Sequence, residues 1–251
     1  MIKVIILGFG NVGQHLYQAF SRNSKVDVIQ VFNRSPINFS EEVQTSFTTD
    51  IRQLKEADIY IIAVPDDTIQ ELSKKLPLKN KLVVHTSGSV ALNHLSDNNK
   101  KGVFYPLQTF SKNAVVDFKS IPICIEANNK EDLKSLKQLG SAISENIQEI
   151  NSKEREQLHL SAVFVNNFVN YLYQVGSDLL LDNSLSFDLL KPLIKETAKK
   201  MESLNPVDSQ TGPAKRNDFK TIENHLHLLE GSPYKEIYEV MTKKIQNKNY
   251  K

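Results

Sequence analysis

The chain opens on an apolar run, Ile2-Lys-Val-Ile-Ile-Leu7, that passes directly into Gly8-Phe-Gly-Asn-Val-Gly13 and then into a stretch of helical character at residues 12–20. A short apolar run bounded by glycine reads as a buried strand. Residues 26–32 repeat that signature with β-branched content and stop at the turn signal Asn33-Arg34-Ser35-Pro36. Further apolar runs lie at 57–64, stopped by Pro65, and at 81–84, stopped by His85-Thr-Ser-Gly-Ser89, with a helical stretch at 68–76 between them. Residues 102–104, 121–125 and 147–150 have strand character, and 131–144 has helical character. Strands alternating with helices predict an α/β, doubly wound, mainly parallel sheet that closes near residue 150.

Beyond that point the strand signals stop. Residues 153–181 read as one long helix with Leu158, Ala162, Val165, Val169, Leu172 and Val175 on one face. Helices are also predicted at 187–203, 219–229 and 234–245, broken by Asn205-Pro206 and Gly231-Ser232-Pro233. The organisation expected is a sheet domain over residues 1–150 and an all-helical domain over 151–251. The long helix also carries Phe164, Phe168 and Tyr171, more apolar surface than three short helices cover. A homodimer through the C-terminal helices is therefore expected.

Charge narrows the choice of partners. The 31 Lys and Arg against 29 Asp and Glu leave a formal net charge of +2, so no global field draws the protein to nucleic acid or to a membrane surface. A single cysteine, Cys124, excludes an internal disulfide framework and suits a reducing, cytoplasmic compartment. The N-terminal apolar run is too short for a membrane span.

The chemistry begins at the glycines. In a strand–turn–helix, Gly8 permits the tight turn, Gly10 lets backbone approach a pyrophosphate and Gly13 lets the helix pack on the strand. The segment Gly8-Phe9-Gly10-Asn11-Val12-Gly13 is thus a candidate dinucleotide cradle, and the sheet domain a Rossmann domain. About 20 positions further on, where NAD-binding versions carry an acid for the ribose, this chain has Asn33-Arg34-Ser35. A guanidinium and a hydroxyl suit the 2′-phosphate of NADP; the alternative is an arginine that solvates a turn. Ligands of such sheets bind beyond the carboxyl ends of the strands. That rule adds Val64, Pro65 and Thr86 to the cofactor candidates, with Asp66 or Asp67 expected to cap the next helix. His85 and Ser87 are expected near the nicotinamide ring, although a histidine at a strand end can equally hold its loop.

These residues carry a resemblance. Gly8-x-Gly10-x-x-Gly13, Asn33-Arg34-Ser35, Ala63-Val64-Pro65-Asp66 and the helical C-terminal half resemble the reductases related to pyrroline-5-carboxylate reductase, 6-phosphogluconate dehydrogenase and the coenzyme-F420-dependent NADP oxidoreductases. Over nearly the whole chain, His85-Thr-Ser-Gly88, Pro106-Leu-Gln-Thr-Phe110, His159-Leu-Ser-Ala162, Asn166-Asn167 and Gly212-Pro-Ala-Lys-Arg-Asn-Asp218 resemble Rossmann-like proteins with a C-terminal domain of unassigned function. In that group the residue before Pro-Leu is often His; here it is Tyr105.

The resemblance implies a lysine three residues before the Asn pair in the hydroxyacid dehydrogenases of the superfamily, and this chain has Val163 there. His159 lies one helical turn earlier and is the candidate general acid, with Asn167 as its companion and packing at the domain junction as its alternative role. Gln108, Lys215 and Arg216 are candidate ligands for a small anionic substrate. His225 and His227 diverge on a helix, so no metal site is expected. Together these features point to an NADP-dependent oxidoreductase that moves a hydride to or from a small polar substrate in the interdomain cleft. The alternative is a non-catalytic NADP-binding or sensing homodimer.

Overall fold

A computed structural model describes residues 1–37, 45–112 and 114–247. Among them lie eight strands, in the order β3-β2-β1-β4-β5-β6-β7-β8 across one sheet. The strands are β1 (Ile2–Leu7), β2 (Val26–Phe32), β3 (Ser46–Thr48), β4 (Ile59–Ile62), β5 (Leu82–His85), β6 (Lys100–Pro106), β7 (Ile123–Ala127) and β8 (Ile147–Glu149). Every neighbouring pair is parallel except β6 with β7. The doubly wound, mainly parallel sheet read from the sequence is therefore the architecture found. The short β3 carried no apolar run long enough to announce it.

The inner strands are buried on both faces, as their unbroken apolar sequences require. One face packs Val4, Ile6, Val28 and Ile61 against Leu16 and Phe20 of α1 (Asn11–Ser21) and Leu136 and Leu139 of α3 (Lys130–Gly140). The opposite face packs Ile5, Leu7, Tyr60 and Ile62 against Ile69 of α2 (Asp66–Lys75). A capping box starts α4 (Ser152–Ala162): Asn151 Oδ1 accepts from Glu154 N at 3.0 Å, and Glu154 Oε2 accepts from Asn151 N at 2.9 Å.

The long helix expected over 153–181 is interrupted. Between α4 and α5 (Val169–Leu181) the backbone forms a π-helical segment, Val163–Phe168. The wider turn breaks the 3.6-residue period, so the spacing that put His159, Val163 and Asn166 on one face does not carry across residues 163–168. Later helices are α6 (Lys191–Lys200), α7 (Pro206–Ser209), α8 (Pro213–Arg216), α9 (Phe219–Leu228) and α10 (Lys235–Gln246). The chain divides into two compact units, Met1–Asn166 and Asn167–Lys251. The first unit thus keeps α4, sixteen residues past the boundary expected at 150. Among the described residues no helix is long and apolar enough to cross a membrane.

Candidate functional site

The carboxyl ends of β1, β2, β4 and β5 share one edge of the sheet, and the glycine turn sits at its centre. Gly8 has φ +105°, a conformation that L side chains rarely adopt, and a Cβ there would stand 2.4 Å from the Ala63 carbonyl oxygen. A Cβ on Gly13 would stand 2.2 Å from the carbonyl oxygen of Gly8. At Gly10, by contrast, nothing lies within 4 Å of the place a Cβ would take. The first and third glycines are thus required by the protein's own packing, and the second leaves room for a ligand's approach. Gly10 precedes the first turn of α1, which contains no acidic residue. Free N–H groups at that helix start favour an anion.

Asn33 joins this turn to the end of β2. Its Oδ1 accepts from Phe9 N at 3.2 Å and its Nδ2 donates to the Ser35 carbonyl at 3.0 Å. Asn11 donates through Nδ2 to the Phe110 carbonyl at 2.9 Å, which draws the loop after β6, with the exposed Gln108, toward the start of α1. Gly8, Gly10, Asn33, Arg34, Val64 and Pro65 line a cavity of about 640 Å³, which extends along α2 to Thr68 and Leu72. This is one continuous space running from the glycine turn to Arg34. The six candidates named here were scattered over nearly sixty positions of sequence, and the strand order of the sheet brings them together.

The loop after β5 is held more tightly than its polar sequence indicates. His85 is fully buried, and its Nδ1 accepts from Ser87 N at 3.2 Å. Burial, with the Arg155 guanidinium nearby, pushes its imidazole down to about 3, so it stays neutral. Ser87 is buried too, and its Oγ accepts from the backbone N–H groups of Ser89 and Val90 at 3.1 and 3.0 Å. Thr86 bonds back to the Ile62 carbonyl. The geometry favours loop-holding over proton transfer for His85 and Ser87. Asp66 does not cap α2 through its side chain; its carboxylate accepts from Ser89 Oγ at 2.5 Å and so ties the loops after β4 and β5 together.

His159 reaches the same loop from α4. A Cβ on Gly88 would stand 2.6 Å from His159 Nδ1 and 2.8 Å from Tyr105 Cζ, so the imidazole lies directly on the Gly88 backbone. Tyr105 Oη stands 3.1 Å from His159 Nδ1. Burial pushes the Tyr105 phenol up to about 12. The phenol therefore keeps its proton and can donate to Nδ1, which leaves Nε2 as the nitrogen with no protein partner among the described residues. The sequence marks Tyr105 only as a departure from the resemblance; the fold alone sets it against the histidine.

A second group not legible in the sequence lies beneath the loop. Arg155 is completely buried on α4; its guanidinium pairs with Glu126 and donates to the Val90 carbonyl at 2.5 Å. Ser152 Oγ bridges to Glu126 at 2.9 Å. The remaining candidates belong to the other parts of the chain. Asn166 and Asn167 are exposed in the π-helical segment, a distortion that recurs at functional sites. Lys215 and Arg216 lie on α8 in the second unit, introduced by Gly212 at φ +100°. Asp218 caps α9, accepting from Thr221 N at 3.2 Å.

Comparison with known proteins agrees with this picture. Residues 3–88 match the family model described as NADP oxidoreductase, coenzyme F420-dependent, and residues 121–245 match a domain of unknown function, DUF2520. The chain is 37% identical to a Bacteroides fragilis protein described as a candidate NADP oxidoreductase, with 98% of each chain covered and a TM-score of 0.86. Protein TM1727 of Thermotoga maritima shares the fold at 22% identity, with 97% of this chain and 96% of that chain covered and a TM-score of 0.75. Glycerol-3-phosphate dehydrogenase [NAD(P)+] of a Thermotoga strain is 26% identical over 102 residues. That match spans 36% of this chain and about a third (32%) of the dehydrogenase.

Proposed function

The chain belongs to the family that joins a Rossmann domain of the F420-dependent NADP oxidoreductase type to a DUF2520 domain, and on that premise we propose that it is an NADP-dependent oxidoreductase acting on a small, polar, anionic substrate. The observation that carries the reading is the cavity that runs from the open side of Gly10 to Arg34. The glycine turn and the start of α1 hold the pyrophosphate. Arg34 and Ser35 hold the 2′-phosphate, which explains why no acid stands at the end of β2. Val64, Pro65 and Thr86 flank the cofactor's central portion. The bound nicotinamide supplies or accepts the hydride. His159, held by Tyr105, delivers or removes the accompanying proton through Nε2, and Asn167 helps to orient the substrate. The protein works as a homodimer joined through its C-terminal helices.

A second reading, a nucleotide-sensing homodimer without turnover, is favoured by Val163 at the place where the resemblance implies a lysine. Two measurements decide between them. Fluorescence titration with NADPH and NADH is expected to show preference for NADPH; binding of neither removes the cofactor reading, and preference for NADH removes Arg34 from its role. A turnover screen over imines, ketoacids and hydroxyacids is expected to give a substrate whose rate collapses in His159→Ala. Tight NADPH binding with no turnover anywhere in that set selects the sensor.

A further inference from the structure

The slot beside Arg34 contains a second arginine with a carboxylate of its own. Asp50 and Arg52 line the same cavity and come from the turn that follows β3, the strand beside β2. Asp50 caps that turn by accepting from Arg52 N at 3.0 Å, and its carboxylate also accepts from Arg52 Nε at 2.9 Å and from Nη2 at 2.8 Å. Across the slot Glu71 is paired with Lys75 one helical turn on. Among the described residues, Arg34 is the lining cation with no carboxylate within ion-pair distance. Both acids of the slot are thus neutralised by a partner within a few residues, and a net positive charge is left for a ligand.

The Asp50–Arg52 pair is built to exchange. The arginine side chain is 84% exposed, and an ion pair in that setting stabilises the protein little. A phosphate monoester carries more charge than a carboxylate and offers three acceptor oxygens to the planar guanidinium fork. The carboxylate left behind remains partly solvated, so its release costs little.

We propose that Arg52 is a second ligand for the 2′-phosphate of the nucleotide, and that Asp50 is the latch that holds its guanidinium at the pocket until that phosphate arrives. This rests on the NADP reading and deepens it. The latch also works against NADH. A ligand without the 2′-phosphate leaves the pair closed, so the Asp50 carboxylate stays occupied by Arg52 and is withheld from the ribose hydroxyls.

The test uses 2′,5′-ADP and 5′-ADP as probes, titrated calorimetrically into the full-length protein. Arg52→Ala is expected to weaken 2′,5′-ADP about tenfold, the loss of one charge-assisted contact, and to bind 5′-ADP at least as tightly as wild type, because the Asp50 carboxylate is then free for the ribose hydroxyls. Asp50→Ala is expected to bind 2′,5′-ADP at least as tightly as wild type, and Asp50→Ala/Arg52→Ala to stay as weak as Arg52→Ala alone. Unchanged 2′,5′-ADP affinity in Arg52→Ala overturns the proposal. So does recovery in the double variant, which would reduce Arg52 to a neutraliser of Asp50. The parent reading fails separately: a wild-type protein with no preference for 2′,5′-ADP removes both, whereas a preference lost in Arg34→Ala and kept in Arg52→Ala spares the NADP site and removes Arg52 from it.

Discussion

Tyr105 Oη meets His159 Nδ1 at 3.1 Å, joining the end of β6 to the middle of α4 across 54 positions of sequence. The two rings stand edge to face with centroids 6.0 Å apart. A phenol that donates to Nδ1 selects the Nε2–H tautomer of the imidazole, so the direction of this bond decides which nitrogen carries the proton. In Tyr105→Phe the ring packing survives and the donor is lost. The His159 ring, followed by ¹⁵N-resolved NMR, is expected to change from a single Nε2–H tautomer to a mixture, with a stability loss of about 0.5–1.5 kcal/mol in urea melts. An unchanged tautomer would show that Tyr105 does not organise the histidine.

Gly88 sets the distance between that pair and the loop. A methyl group there would overlap both His159 and Tyr105. Gly88→Ala is therefore expected to push the imidazole away from the loop and to cost about 1–3 kcal/mol of stability, as overpacking of a filled site does. Chemical shifts of His159 should move while NADPH affinity, proposed above to rest on the glycine turn and Arg34, stays close to wild type. A variant with wild-type stability and unmoved His159 signals would rule out the close contact.

The sequence made the sheet and the cofactor cradle legible because both rest on local rules: apolar runs of strand length, and glycines whose spacing matches a turn and a helix start. Arg34 was legible for the same reason, since its place at the end of β2 follows from strand length. What escaped depends on long-range packing. Arg155 looks like an exposed helix residue until Glu126 and the Val90 carbonyl are brought to it, and Asp50–Arg52 gains meaning only when β3 pairs with β2. The π-helical turn at 163–168 has no compositional mark in Val-Phe-Val-Asn-Asn-Phe, so a period of 3.6 carried the helical face too far. His85 reads in the sequence as a strand-end residue with two open roles, and its burial favours the loop-holding one.

That burial has a consequence for acid stability. The folded-state value of His85 is about 3, against an ordinary value of 6.5. Above 6.5 the ring is neutral whether the chain is folded or not, and its contribution is fully retained. Between 6.5 and about 3 the unfolded chain takes up a proton that the folded protein refuses, so stability falls as the pH is lowered, by about 1.4 kcal/mol per pH unit from this group alone. Urea melts of wild type and His85→Gln at pH 7, 6, 5 and 4 should separate this slope from that of the carboxylates common to both. Parallel pH profiles for the two proteins would mean that His85 titrates normally in the fold.

The second unit leaves many of its apolar side chains outside any core. Leu181, Leu189 and Leu193 are 75%, 65% and 63% exposed, and they fall on or between α5 and α6. Water contact over that area is unfavourable by about 25 cal/mol per Å², and a copy of the same helices is the simplest cover. Light scattering is expected to give twice the chain mass of 28.5 kDa. Leu189→Glu with Leu193→Glu is expected to shift the protein toward monomer, because closing the interface would then bury charge. A wild-type protein that runs as a monomer at micromolar concentration would remove the homodimer from the proposed function.

The buried ion pair under the loop makes the last prediction, and it separates support from chemistry. Arg155 donates to the Val90 carbonyl while Val90 N donates to Ser87 Oγ, so the guanidinium anchors the loop on which His159 rests. Removing one partner leaves the other charge in a site that water does not reach. Glu126→Ala is accordingly expected to lose about 3–5 kcal/mol, more than any surface ion pair of this protein should yield. A double variant, Glu126→Leu with Arg155→Met, carries no buried charge and should recover most of that loss in urea melts. It lacks the bond to Val90, however, so amide exchange at Ser89 and Val90 should stay faster than in wild type even where global stability returns. Recovery of both together would mean that the loop is held without the guanidinium, by Ser87, His85 and the Asp66–Ser89 bond, and that Arg155 serves only the packing of α4.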